Sequence, residues 1–407
     1  MKAMLIITAS ILLASACQAE WTGQMTVEEG VTKVTNPESA AEGEQLLEMH
    51  ELWRRGGEDD EEVFFGTIAE FLHDDEGNIY LLDGQVSEIH IFDTEGELLE
   101  TIGRQGEGPG EFQNGGDMFW TPDGEICVVQ AFPGKLVMLT PDGAPGTTFS
   151  LPYRDGVGFQ AVSRGDLQGD AVVLSGTAWA RIDGKQIQFT YLKSYDMDGN
   201  ELATYQETDQ EVGFGNYEFI EENWVDFQRR WDVAPDGRVA AALSFEDYRI
   251  HVWNADGTLD RIIERPDYQA VPRSPDESEV FQAMYDAATQ WNQGSTFRVN
   301  PNHNTVEQIL FRDDGTLWVQ SGADRWQAGP GVFTSFDVYD LEGRYVRKVT
   351  LKADADPVQD GLFFAGDRAF VVTDLLDAMM ARMGGNGDAD IALESEPVTV
   401  ISFEFSM

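Results

Sequence analysis

Cysteine is nearly missing: Cys17 and Cys127 are the only two in 407 residues. That excludes a paired-thiol zinc site and any disulfide framework. Cys127 lies in EICVVQ, a buried-strand pattern that makes it a small core side chain rather than a nucleophile. Positive charge is also scarce, with 27 Lys and Arg against 73 Asp and Glu and a formal net charge of −46. Self-repulsion at that density excludes nucleic acid as a partner and any electrostatic hold on anionic lipid. No apolar run is long enough to span a bilayer, the longest being Met4 to Leu13. The five histidines, His50, His73, His90, His251 and His303, form no HExxH, and no serine-nucleophile motif occurs. His90 and His251 hold the same place in IHIFD and IHVWN, which marks them as repeat positions. The sequence therefore offers no catalytic set.

The N-terminus carries an address. Met1 and Lys2 open onto the short apolar run, which ends in Ala14-Ser15-Ala16 before Cys17. This resembles a bacterial lipoprotein signal, with cleavage before Cys17 and lipidation of that residue, although the third residue before the cysteine is Ala14 where leucine is usual. A plain secretory signal cleaved after Ala19 is the alternative. On the lipoprotein reading, residues 1–16 are the signal, 17–26 a tether and 27–407 the folded unit, attached to the membrane through acyl chains on the periplasmic or outer face. Removing residues 1–16 takes away Lys2 and no acid, so the mature chain is one charge more negative. The acids are spread through every segment, which favours a hydrated surface suited to a saline habitat over massed Ca²⁺ loops.

What is abundant is a repeat. An acidic or Pro-Asp turn ending in glycine precedes an apolar strand, and a second strand ends in another such turn. Glycines of the first turns stand at 77, 124, 169, 237, 315 and 366, giving steps of 47, 45, 68, 78 and 51. The short steps set a period of about 45 residues, the size of a four-stranded propeller blade. Each small sheet exposes an apolar face it cannot bury alone, and stacking the blades around an axis buries them all. Six starts predict an all-β, six-bladed β-propeller. The last unit ends after VTVISFEF at 398–405 with no following strand, while VTKVT near residue 31 has no partner of its own. Pairing the two would close the ring.

The long steps contain insertions. Ser274 and Pro275 predict a capped helix over 274–291 with Val280, Met284, Ala287 and Trp291 on one face, lying over one end of the ring. A second insertion at 374–390, DLLDAMMARMGGNGDAD, reads as a short Met-rich helix. Its Met379, Met380 and Met383 suit either a packed edge or an adaptable apolar contact.

The stretch IGRQGEGPGEF, preceded by IHIFDTEGEL, resembles the hallmark of six-bladed propeller lipoproteins of Bacteroidetes-like and related environmental bacteria, themselves similar to NHL-repeat propellers. The resemblance spans roughly residues 24 to 405 at the level of repeats and implies the fold; most members of that family have no assigned activity. The stretch is not a phosphate loop, because it lacks Lys-Ser/Thr, carries two glutamates and leads into a blade. Its glycines read as a turn, with Phe112 seated in the next inter-blade core and Glu111 paired with Arg104.

The remaining candidates are cationic. In FQRRWDV, Arg229, Arg230 and Trp231 stand just before the fourth blade's turn, where a strand approaches the ring's interior; guanidinium groups beside an indole suit an anionic or sugar-like ligand, and pairing with carboxylates of the chain is the structural alternative. His303 and Arg104 complete the binding candidates. No cofactor is called for; Ca²⁺ at carboxylates such as Asp83 and Asp117 is the one exception considered. The sequence thus describes a lipid-anchored, monomeric binding module whose partner is a protein or a small molecule. A propeller hydrolase or lyase with a channel metal and a structural scaffold of an envelope complex are the alternatives.

Overall fold

A computed structural model describes residues 20–58, 60–151, 157–213, 215–223, 229–289, 292–384 and 397–406. Cys17 and Trp291 lie outside these residues. The strands form six four-stranded antiparallel blades. The first runs Ile68–His73, Ile79–Asp83, Glu88–Phe92 and Leu98–Ile102, each strand pairing with the next. The innermost strands of the six blades are Ile68–His73, Gly115–Trp120, Val157–Gln168, Trp231–Val233, Gln308–Phe311 and Gly361–Ala365.

Because every blade is an up-and-down sheet, its first and third hairpins lie at one end of the ring and its second hairpin and outgoing connection at the other. The first end is regular. At nine turns a glycine amide donates to the carbonyl three residues back, as Gly77 does to Asp74 at 3.1 Å. These glycines have φ between +76° and +87°, which a Cβ disfavours. Where the turn opens on aspartate, the carboxylate takes further amides: Asp74 Oδ1 accepts from Glu76 and Asn78, both at 2.9 Å.

The seams between blades hold the core. Six apolar clusters occupy the six boundaries, among them Phe71, Phe92, Phe363 and Phe370 between the sixth and first blades. Phe112 is fully buried between the first two, with Leu82, Val128 and Leu139. The insertion expected in the third unit is instead strand: Val157–Gln168, Ala171–Ile182, Lys185–Tyr195 and Glu201–Glu211 are each 11 or 12 residues long. The extra residues lengthen the hairpins without interrupting them.

An N-terminal strand closes the ring, as expected, but it is a different strand. Glu44–Gly56 pairs antiparallel with Thr399–Ser406, from Thr399 opposite Gly56 to Ser406 opposite Glu48, and becomes the outer strand of the sixth blade. Its first residues also run parallel to the outer strand of the fifth blade, Lys348 opposite Glu44. The VTKVT segment, Val31–Thr35, pairs in parallel with the outer strand of the fourth blade, Leu259–Glu264. Gln24–Glu28 folds back on it, so the first strand begins inside the stretch read as tether. Asn36, buried between these strands, accepts from the Tyr345 amide at 2.7 Å and donates to the Gly343 carbonyl at 3.0 Å.

All helices described lie on the irregular, loop-bearing end. Helix α1, Pro275–Ala288, follows the fourth blade, with a capping box in which Ser274 and Glu277 bond reciprocally. It is shorter than expected, and its closest packing comes from the neighbouring turn positions: Arg273 stacks on Phe281 at 3.7 Å, and Tyr285 on Phe297 at 4.0 Å. Beneath it Arg273 and Glu221 form a buried bidentate pair, both bonds 2.8 Å. Helix α2, Gly322–Trp326, interrupts the fifth blade, and α3, Leu375–Gly384, the sixth. Among the described residues no helix is long and apolar enough to cross a membrane.

Candidate ligand channel

The innermost strands surround a cavity of about 480 Å³ along the ring axis. The two faces of an innermost strand pack into the seams on either side, as Phe363 and Leu362 do, and the polar side chains that reach past its inner edge into this space meet each other rather than bulk water. Here those side chains are charged. They divide into two walls.

On the first wall, Glu70, Asp117 and Asp232 of the first, second and fourth blades line the cavity and, with Asp166 of the third, surround Arg164. Arg164 Nη2 donates to Asp232 Oδ1 at 2.9 Å, and its Nε stands 3.9 Å from Asp117 Oδ2. It also donates to the Trp231 carbonyl and lies over the Trp231 ring at 5.1 Å. Backbone amides take other carboxylate oxygens: Gly165 donates to Asp117 at 2.9 Å, Phe311 to Asp232 at 2.6 Å, and Leu167 to Asp166 at 2.7 Å. Burial pushes all four carboxyls above their ordinary range, Asp117 well above it, and Asp166 to about 7. Arg164 is also raised: burial opposes its charge, and Asp232, Asp117, Asp166 and Glu70 outweigh burial.

The second wall is arginine and aromatic. Arg229, Ile309, Leu310, Leu362, Phe363 and Phe364 face the same cavity. The Arg229 guanidinium lies over Phe363 at 5.1 Å and has no hydrogen bond or ion pair with any described residue. Burial lowers its pKa, against the pull of Glu70 and Glu307. In an adjoining hollow it shares lining with Arg325, which is lowered to about 10 by burial and by Arg229 itself. Arg325 is tied down by the carbonyls of Pro357, Val358 and Asp360. At the regular end Arg312 donates to the Gly366 carbonyl at 2.7 Å and stacks on Phe364 at 4.9 Å.

Helix α3 stands at the loop-side mouth. Leu375, Met379 and Arg382 line the cavity there. Arg382 reaches across to Asn114, where the second blade begins, donating to Oδ1 at 2.8 Å. Met379 of the Met-rich insertion therefore faces the channel.

The sequence-predicted residues separate. Arg229 reaches the channel. Arg230 is buried and donates to the Ser244 carbonyl within its own blade. Trp231 is fully buried in the seam between the third and fourth blades. It binds nothing from solvent, although its ring supports Arg164. His303 is also buried, 3.4 Å from Glu277 beneath α1, its pKa lowered by burial first and by Arg273 next. Arg104 is exposed on the loop face and pairs with Glu111 at 2.6 Å, so the glycine-rich stretch reads as a structural join. Within it a Cβ on Gly106 would come 2.0 Å from the Glu111 carboxylate. Asp117 faces the channel, whereas Asp83 lies in the join between blades and accepts from the amides of Gly66 at 2.6 Å and Gln85 at 2.9 Å. Among the described residues no three His, Cys, Asp or Glu side chains are grouped so as to hold a metal ion.

Glu70, Arg164, Asp166, Asp232 and Arg325 were not picked out from the sequence. A signal was present for three of them, and for Asp117. Glu70 and Asp117 each stand seven residues before a first-turn glycine, and Arg164 and Asp232 each stand five before one. A charge at one of these two distances, inside a strand, was the available hint, although Arg230, also seven before its glycine, stays within its blade.

A family profile described as a 6-bladed beta-propeller, DUF5128, matches residues 58–214. Among curated proteins none matches the sequence. Solved structures similar to this chain include a member of the DUF4221 family from Bacteroides vulgatus, 12% identical, covering 88% of this chain and 98% of that one with a TM-score of 0.49. The calcium-binding protein regucalcin from Agrobacterium tumefaciens is 11% identical, with 88% and 96% covered and a TM-score of 0.42. A gluconolactonase from Xanthomonas campestris is 8% identical, with 84% and 87% covered and a TM-score of 0.38. The strand order and the family profile agree on the fold, a six-bladed β-propeller.

Proposed function

We propose that this protein is a lipid-anchored, extracytoplasmic propeller that binds a small ligand bearing an anionic group in its central channel, with Arg229 as the anchor. One observation carries the reading: a guanidinium lines a cavity of about 480 Å³ and has no protein partner among the described residues, in a chain where acids outnumber bases 73 to 27. A cation left open beside so many carboxylates is available to a ligand anion, and an Arg fork suits a carboxylate or phosphate. The cavity volume falls in the range usual for small-molecule sites. The anchor rests on the short apolar run and Ala14-Ser15-Ala16-Cys17.

The test is retention. Wild-type protein and Arg229→Leu are incubated with a small-molecule extract of the native envelope, washed and denatured, and the released compounds are identified by mass spectrometry. Wild type should release an anionic compound that the variant does not. Equal release from both, or none from either, removes the channel reading. Loss of detergent-phase partitioning in Cys17→Ser checks the anchor separately.

A further inference from the structure

The channel's open groups are of both signs. Glu70, on the innermost strand of the first blade, accepts only the amide of its own neighbour, Phe71, to Oε1 at 2.9 Å. Its other oxygen has no partner among the described residues, and Glu70 lines the cavity. Arg229 lines the same cavity, also open, and the two form no ion pair with each other. Around Glu70 the first wall is short of positive charge, since its four carboxylates have Arg164 as their one paired cation among the described residues, and the carboxylate nearest to Arg164 is Asp232. Leu310, Leu362 and Phe363 line the same cavity, an apolar surface without charge of its own.

Resting on the anion-binding reading above, we infer that the channel ligand is a zwitterion of amino-acid or short-peptide type, its ammonium held at Glu70 and its carboxylate at Arg229. An ammonium beside Glu70 would supply the missing positive charge on the first wall, and a carboxylate would give Arg229 the two-pronged partner its fork fits. A side chain between them would lie against the leucines and Phe363. An anion alone would satisfy Arg229 and leave the first wall as it is. A polycation would do the reverse.

Three probes separate these cases by calorimetric titration at low salt: the dipeptide alanyl-phenylalanine, its N-acetyl form without the cation, and its C-terminal amide without the anion. The free dipeptide should bind, and each capped form should bind at least ~10-fold more weakly. Glu70→Gln should remove the difference between the free and acetylated forms, and Arg229→Leu that between the free form and the amide, with thermal melts confirming that both variants fold. Equal binding of the free and acetylated dipeptides, with the amide weaker, overturns the zwitterion and leaves the anion-binding reading standing. Equal binding of the amide and the free form overturns both. Binding by none of the three overturns the zwitterion, and the envelope-extract comparison then decides the broader reading alone.

Discussion

Arg164 and Arg229 face one cavity and do opposite things. Arg164 is held by Asp232, the Trp231 carbonyl and a ring, amid carboxylates that raise its pKa. Arg229 has a ring under it and nothing at its donors among the described residues, and its pKa is lowered. Burying a charge is costly unless it is paired and hydrogen-bonded, so the first arginine reads as part of what holds the blades in place. The second leaves that cost partly unmet in the free protein, which is the usual condition of a group reserved for a ligand. Position in the channel alone does not tell the two apart; the count of partners does.

The comparison can be broken most directly at Arg164. Arg164→Leu removes the cation paired with Asp232 and set among Asp117, Asp166 and Glu70, and should destabilise the fold by about 3–5 kcal/mol in denaturant melts. A loss below about 1 kcal/mol would mean that the first wall is not structural. Next in size is Asp232→Asn, which keeps one acceptor and loses the charge opposite Arg164. Its expected cost is about 1–3 kcal/mol, read in the same assay.

A third test uses pH. Burial first and Asp232 next push the Asp166 carboxyl up to about 7 in the folded protein, above its unfolded value, so the fold binds this proton more tightly than the unfolded chain does. Its contribution is therefore fully present below about pH 4 and lost as pH rises toward 7, with a slope of at most about 1.4 kcal/mol per pH unit. Thermal midpoints measured across that window should fall with rising pH more steeply in wild type than in Asp166→Asn; parallel curves would remove the group from the account. The smallest effect belongs to Arg229→Leu, which should change stability by less than about 1 kcal/mol, because among the described residues its guanidinium touches only the Phe363 ring. A loss as large as that of Arg164→Leu would erase the distinction between the walls.

Much of the fold was legible because hairpin turns demand particular residues. Gly77, Gly124 and Gly237 must adopt positive φ, and their spacing exposes the blade period. Phe112 could be placed in a seam because it follows a turn that can only end at a new blade. The closing strand was missed for an equally physical reason. Glu44–Gly56, EQLLEMHELWRRG, is an outer strand with only Met49 and Trp53 buried, so it lacks an apolar run, even though a Glu42-Gly43 turn introduces it. The channel suffered the same concealment. Among 73 acids, Glu70 and Asp232 look like surface residues until the ring turns their strands inward. Trp231 was misread because aromatic character beside two arginines fits a binding site and a seam equally well, and only the packing distinguishes them.

The N-terminal segment sets an order on assembly. Residues 24–56 pair with the outer strands of the fourth and fifth blades and with the last strand of the chain, and the Asn36 contact to Tyr345 joins residues 309 positions apart. Residues 24–56 must therefore wait for partners made several hundred residues later. During that interval Glu44–Gly56 is an unpaired strand that could add to the edge of another molecule. Its mixture of charges, including Glu44, Glu48, Glu51, Arg54 and Arg55, is the kind of sequence that keeps a waiting edge in solution until its own partner arrives.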